Sequence, residues 1–207
     1  SIIQNYNLYE ILKKKLSNNK YCYSKIFNNK DVSSLKSKDL IINCDPQNII
    51  TKKYFSKKIK KKYNSTAYTT VIYHEKILNN IATQIFTSKG PLAFLPISDT
   101  ETSIVYSIDN LKFKKSENIY NLIKKYNFKY KIQRIKKIDK FELSSVILRS
   151  YYHENILAFG DLLHKIHPLA GQGFNMTIRD IIILVQIIKN RISLGLQTDK
   201  SVNSEFE

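Results

Sequence analysis

The stretch GDLLHKIHPLAGQGFN, from Gly160 to Asn175, constrains this chain more than any other. It carries three of the five glycines, at positions 160, 171 and 173, together with two of the four histidines and one of the four prolines. An apolar run, NILAFGD, leads into it, and FNMTIRDIIILVQIIKN leaves it. The first reads as a strand, the second as a helix starting near Gly173. Glycine permits positive φ and close backbone approach. A helix N-terminus presents unpaired N–H groups and a partial positive charge, so it favours an anionic group. Asp161, at the strand end, is an acceptor placed for a hydroxyl such as that of a sugar chain. A strand, a glycine-rich loop and a helix together suit a nucleotide cofactor, although the arrangement by itself occurs in many folds. From Ile181 to Ile188 the helix is apolar nearly all round, which predicts burial on most sides.

The rest of the chain divides by periodicity. NLYEILKKKL places Leu8, Ile11, Leu12 and Leu16 on one helical face, with Asn7 as its cap. KYCYSKIF and DLIINC read as short strands, the second ending in a turn at CDPQN, with Cys44 as a small core residue. Residues 52–62 read as a basic helix or loop. From Thr66, AYTTVIYHEK, IATQIFTS, GPLAFLPIS and TSIVYSID are four β-rich runs separated by turn residues, hence an antiparallel sheet. SENIYNLIKKYN is helical, with Ile119, Leu122, Ile123 and Tyr126 on one face. FELSSVILRSYYHENILAFGD reads as two further strands around a turn at His153 to Asn155. Tyr68, Tyr73 and Tyr106 fall at strand spacing and read as core or sheet-face residues. The fold class expected is mixed α/β: α/β flanks that come together as one domain, interrupted by the antiparallel sheet.

The formal charge is +17, from 34 basic and 17 acidic residues. Such a charge points either to an anionic partner or to a composition rich in Lys, Ile, Asn and Tyr. Arginine occurs only at 134, 149, 179 and 191. Base-edge readers rely on its bidentate fork, and the lysine runs are scattered, so nucleic acid is not the partner expected. The run from Lys57 to Lys62 reads most simply as a solvated surface, with anionic lipid as its alternative partner. No apolar run reaches the length of a membrane span, no signal peptide is evident, and Cys22 and Cys44 form no CxxC motif. The expectation is a chain of a reducing cytoplasm, peripheral at the inner membrane if it touches one. The chain opens at Ser1 rather than Met, and is read as an internal piece of a longer protein. Asp161, His164 and His167 lack a fourth ligand, so no metal site is assigned. His74 and His153 read as strand-end and turn residues.

GDLLHKIHPLAGQGFNMTIRD resembles the second flavin motif of the class A FAD-dependent aromatic hydroxylases, the group of para-hydroxybenzoate hydroxylase. Within that group it is most similar to the ubiquinone-biosynthesis hydroxylases, whose motif reads roughly GDAAHxxHPxxGQGxNxxxxD. GPLAFLPISDTETSIVYS resembles the group's sheet segment, and NLYEILKKKL one of its helices. The resemblance covers most of the chain, in order. It implies a partial FAD-binding Rossmann-like domain over 1–62, an antiparallel substrate-domain sheet with a helix over 63–140, and a return to the FAD-binding domain over 141–207. It implies FAD held by Gly160, Asp161, Pro168, Gly171, Gln172, Gly173, Phe174, Asn175 and Asp45, with Asp161 on the ribityl chain. The implied reaction is hydroxylation of a polyprenylated aromatic substrate using NAD(P)H and O2, in peripheral membrane contact or within a biosynthetic complex. No catalytic acid or base is assigned, and the isolated piece is expected to be inactive.

The sequence departs from the group in three places. A GxGxxG dinucleotide motif is absent. Where the group has a DGxxSxxR-like motif, this chain reads DPQNIITK, so Pro46, Ile49 and Lys52 stand where Gly, Ser and Arg are expected, and proline lacks an N–H and fixes φ. Leu162 and Leu163 replace two small residues, and must find space beside the cofactor or in the core. Two other readings stay open at this point: a remnant of the fold without flavin binding, and a lysine-rich nucleic-acid-binding protein.

Overall fold

The computed structural model describes residues 5–28, 34–35, 39–114, 116–165 and 172–207. The chain divides into two compact units: residues 1–25 with 64–143, and residues 26–63 with 144–207.

The first unit contains helix α1 (Asn5–Ser17), most of strand β2 (Lys58–His74), and strands β3 (Thr83–Thr87), β4 (Gly90–Pro96) and β5 (Glu101–Asp109). Helix α3 (Ile119–Tyr126), strand β6 (Ile132–Ile135) and the start of β7 (Asp139–Leu148) follow. β2 pairs antiparallel with β5 from Ser65↔Asp109 to Tyr73↔Glu101; β4 then pairs with β5 and β3 with β4, also antiparallel. The pleat sends alternate residues to one face, and Thr102, Ile104, Tyr106 and Ile108 of β5 are fully or nearly fully buried there. Leu92 and Phe94 of β4 join them, and α3 lays Ile119, Leu122 and Ile123 on the cluster. Asn118 caps α3 by accepting the Tyr120 N–H at 2.8 Å.

At the end of β2 this core contains a closed polar network. His74 Nδ1 donates to the Glu75 carbonyl, 2.8 Å away, which can only accept, and Nε2 is hydrogen-bonded with Thr102 Oγ1 at 3.0 Å. Thr102 Oγ1 in turn accepts from Asn79 Nδ2, and Tyr130 OH donates to Asn79 Oδ1. His74 is therefore a buried keystone of the sheet, more than the strand-end residue expected.

The second unit holds strand β1 (Ile41–Asn43), helix α2 (Ile49–Tyr54), strands β8 (Tyr152–His153), β9 (Ile156–Ala158) and β10 (His164–Lys165), and helices α4 (Gln172–Ser193) and α5 (Ser201–Phe206). β1 pairs parallel with β9, Ile41↔Ile156 to Asn43↔Ala158, and β9 turns back antiparallel on β8. Every residue of β9 is buried. Ile156 and Ala158 pack into a cluster with Ile50 and Phe55, whereas Leu157 packs with Leu184, Ile187 and Val202. Successive side chains thus enter different cores, with α2 covering one face and α4 and α5 the other. A short apolar strand covered on both faces needs this continuous hydrophobic run. The mixed α/β fold with an antiparallel sheet is the fold expected from the sequence.

Several local expectations are corrected. Residues 22–28 form no strand and are exposed, since nothing in that run packs an alternating face. Cys44 is exposed at the end of β1. Residues 52–62 are the end of α2 followed by the first part of β2. α1 begins by Asn5, so Asn7 lies within its first turn, and no α1 residue is buried. α4 buries only a stripe: Leu184 and Ile187 meet β9, while Ile182 and Ile183 are 63% and 50% exposed. Among the described residues, one face of α4 is covered and the others are not.

Candidate functional site

Parallel pairing brings the carboxyl ends of β1 and β9 side by side, because both strands run the same way and Asn43 stands opposite Ala158. The Phe159 N–H donates to the Asn43 carbonyl at 2.9 Å, extending the ladder one residue further. In open α/β sheets, ligands bind outside these carboxyl ends. The chain leaves β9 through Gly160, whose φ of +62° lies in the left-handed region. Among the described residues a Cβ at Gly160 would meet only Thr177 Cγ2, at 3.9 Å, and the backbone angle is what favours glycine there. The same contact places the second turn of α4 against the strand end. Asp161 is exposed, while Leu162 and Leu163 turn into the core, at 5% and 1% exposure. The two leucines therefore fill the interior rather than the space beside Asp161.

A polar knot fixes the end of β1. Asn43, buried, donates from Nδ2 to Thr51 Oγ1 at 2.8 Å and accepts from Asn48 Nδ2 at 2.7 Å. Thr51 Oγ1 donates to the Asp45 carbonyl at 2.6 Å, and Asn48 Oδ1 accepts the Thr51 N–H as the cap of α2. Asp45 Oδ1 accepts the Gln47 N–H at 2.8 Å. Pro46 sits in this bend without a backbone donor being required of it, which is how the altered DPQNIITK segment keeps a compact turn. Ile49 and Lys52 lie in the first turn of α2, and Ile50 and Thr51 are the residues it buries.

The structure thus gathers Asp45, Gly160 and Asp161 at the carboxyl end of the β1–β9 pair, with Asp45 and Asp161 both exposed. Gly173, Phe174 and Asn175 form the first turn of α4; the Gly173 carbonyl accepts Thr177 Oγ1 at 3.2 Å, and Phe174 and Asn175 are exposed. Gln172 begins α4, but its side chain, like that of His164, lies outside the described residues, as do Pro168, Gly171 and His167 altogether. Sequence reasoning missed Asn43, Asn48 and Thr51, the residues that shape the β1 end. The spacing of Asn48 three residues before Thr51, ahead of an apolar helix face, is a cap signal that was there to be read. Among the described residues no three of His, Cys, Asp and Glu cluster as metal ligands, and no helix is long and apolar enough to cross a membrane.

Residues 109–193 match the FAD binding domain family. The chain is 26% identical over 191 residues to the mitochondrial ubiquinone biosynthesis monooxygenase COQ6 of Danio rerio, covering 72% of this chain and 40% of that protein. It is 30% identical over 118 residues to the 3-demethoxyubiquinol 3-hydroxylase of Escherichia coli (strain K12), covering 54% and 30% respectively. The chain therefore spans less than half the length of these relatives. In fold it is similar to p-nitrophenol 4-monooxygenase PnpA from Pseudomonas putida DLL-E4, with a TM-score of 0.60 at 13% identity over 81% of this chain and 44% of that one. It is also similar to the flavin-dependent halogenase CmlS, with a TM-score of 0.57 at 13% identity over 81% and 33%. On these matches the chain contains a segment of the FAD binding domain family, is similar in sequence to ubiquinone-biosynthesis hydroxylases, and shares its fold with FAD-dependent monooxygenases and halogenases.

Proposed function

We propose that the protein to which this chain belongs is an FAD-dependent monooxygenase that hydroxylates the aromatic ring of a polyprenylated phenol in ubiquinone biosynthesis, with NAD(P)H as reductant and O2 as oxygen source. The observation that carries the reading is the paired strand ends: Asp45 and Gly160–Asp161 meet at the carboxyl edge of a parallel pair, with α4 packed against Gly160. The donor set fits a flavin dinucleotide. The exposed carboxylate of Asp161 would accept a hydrogen bond from a ribityl hydroxyl, a charge-assisted bond stronger than a neutral one. The N–H groups of Gly173, Phe174 and Asn175 at the start of α4 offer an electropositive end to an anionic or electron-rich edge. The flavin, when bound, supplies the redox chemistry and the activation of O2; the protein supplies binding, orientation and electrostatics.

The test is the flavin content of the purified full-length protein, read from its visible absorbance, followed by NADH and NADPH oxidation with polyprenyl phenols. Bound FAD with substrate-dependent oxidation supports the reading. A colourless protein that does not take up added FAD sinks it, and makes the chain a remnant of the fold.

A further inference from the structure

We propose that the first part of β2 is a docking strip for the surface of an anionic bilayer. From Pro46 to His74 the sequence has no Asp or Glu, and it has lysine at 52, 53, 57, 58, 60, 61 and 62. All five residues from Lys58 to Lys62 are exposed along an extended strand. At ~3.3 Å per residue the five span roughly 17 Å, so neighbouring charges lie within a Debye length of about 8 Å and act together. The adjacent backbone adds to the same field. Arg149, exposed, donates its N–H to the Lys57 carbonyl, and exposed Lys165 of β10 pairs opposite Val146 of β7.

Two features favour a bilayer over a nucleic acid. First, the charges on the strip are lysines, compact point charges suited to the smeared charge of lipid headgroups, and not arginines with a planar fork for phosphate and base edges. Second, exposed apolar side chains border the strip, Ile59 on the face of β2 opposite that of Lys58, Lys60 and Lys62. Ile59 is 56% exposed and Ile147 of β7 is 41% exposed. An acyl boundary buries such groups; a phosphate backbone does not. Tyr63, the next residue of the strand, has the Lys61 ammonium 5.3 Å from its centroid, so a cation already lies over one face of the ring. The inference is independent of flavin binding.

The experiment is co-sedimentation of the full-length protein with vesicles of phosphatidylcholine alone and of phosphatidylcholine mixed with phosphatidylglycerol, at low and physiological ionic strength. Binding is expected only to the anionic vesicles and is expected to weaken with salt. At about a fivefold contribution per lysine near such a surface, the quadruple substitution Lys58→Gln, Lys60→Gln, Lys61→Gln and Lys62→Gln lowers partitioning on the order of 10²- to 10³-fold. The four Lys→Arg changes retain binding, and Ile59→Ser weakens it several-fold at unchanged charge. Should the glutamine variant not fold by circular dichroism, the arginine and serine variants decide the matter. A control removing Lys13, Lys14, Lys15 and Lys20 on and after α1 leaves binding near wild type. Equal loss in that control, equal binding to neutral vesicles, or binding to poly(U) with none to vesicles overturns the proposal.

Discussion

Gly90 offers the sharpest test of the packing. Its φ is +140°, and a Cβ there would lie 2.1 Å from the Ser107 carbonyl oxygen of the neighbouring strand. No flexible side-chain end can move away, because the obstacle is the backbone of β5. Gly90→Ala must therefore push β4 off β5 at the hairpin. Three interactions depend on that spacing: Asp109 N–H to the Lys89 carbonyl at 2.9 Å, Thr87 Oγ1 to the Gly90 carbonyl at 2.7 Å, and the buried Tyr106 hydroxyl to Thr87 Oγ1 at 2.8 Å. A residue forced into a glycine-only region costs about 1–3 kcal/mol, and each of the three weakened hydrogen bonds about 1 kcal/mol more, so the loss is roughly 4–6 kcal/mol. Gly195 and Gly160 are the internal controls. Both have positive φ, +69° and +62°, but among the described residues nothing lies within 4 Å of a Cβ at Gly195 and only Thr177 Cγ2, at 3.9 Å, near one at Gly160. Alanine at either costs only the left-handed penalty, about 1–2 kcal/mol. Urea unfolding of the three variants, followed by far-ultraviolet circular dichroism, orders them. If Gly90→Ala loses no more than Gly195→Ala, the close approach of β4 and β5 is wrong.

Three further outcomes are expected. Asp161→Ala, at an exposed residue, leaves unfolding within about 0.5 kcal/mol of wild type, yet weakens FAD binding about 10- to 150-fold by removing a charged hydrogen-bond acceptor; flavin titration by fluorescence quenching separates the two. Tyr130→Phe leaves Asn79 Oδ1 in the buried network without its donor and costs about 1–3 kcal/mol, whereas Tyr63→Phe, which removes a half-exposed contact to Ser145, costs less than about 1 kcal/mol; denaturation midpoints compare them. The third outcome is acid sensitivity. The side chain of Lys89 and the Lys114 N–H hold Glu117 below the ordinary carboxylate range, and the Ser201 hydroxyl and N–H do the same for Asp199. The unfolded chain binds these protons more readily than the folded one, so the stabilisation is complete above about pH 5 and is lost as pH falls through the folded values. Glu117→Gln therefore shows a shallower acid-side loss in a pH series of melting temperatures; an unchanged slope contradicts the assignment.

What was legible in the sequence follows from how local each signal is. The four β-rich runs after Thr66 and the α3 face were readable because alternation and 3.6-residue spacing record which side meets a core. The β9 run was readable for the same reason, its unbroken apolarity matching a strand covered on both faces. The lysine half of β2 was not. Lysine has low strand propensity, and residues 58–62 show no alternating burial; that strand exists because it continues the TAYTTVIYH ladder and runs beside β7, which is tertiary information. Asn43 was invisible for a related reason. A buried asparagine in a strand is justified only by the Thr51 and Asn48 partners that fold back on it. The α4 expectation erred through composition: apolarity all round specifies that a helix can be buried, while the described residues cover one stripe of it.

Leu162 and Leu163 decide whether the departures around Asp161 bear on the cofactor or on the core. The resembled hydroxylases carry small residues at these positions, so one reading has the leucines crowding the flavin. The structure gives the opposite assignment: Leu162 packs with Ala158, Leu148 and Ile156, Leu163 is 1% exposed, and the Leu163 N–H closes the turn on the Gly160 carbonyl at 3.0 Å. Buried on the inner side of the turn, the pair anchors it and leaves Asp161 on the outer side. Leu163→Ala then removes a filled core volume and costs about 2–5 kcal/mol. FAD affinity falls with it, since a loosened turn no longer fixes Asp161. If the leucines instead occupied cofactor space, the same substitution would raise FAD affinity and leave the unfolding midpoint nearly unchanged. Stability and affinity move together in one case and apart in the other, so a paired measurement on the single variant Leu163→Ala assigns these side chains without a structure of the bound flavin.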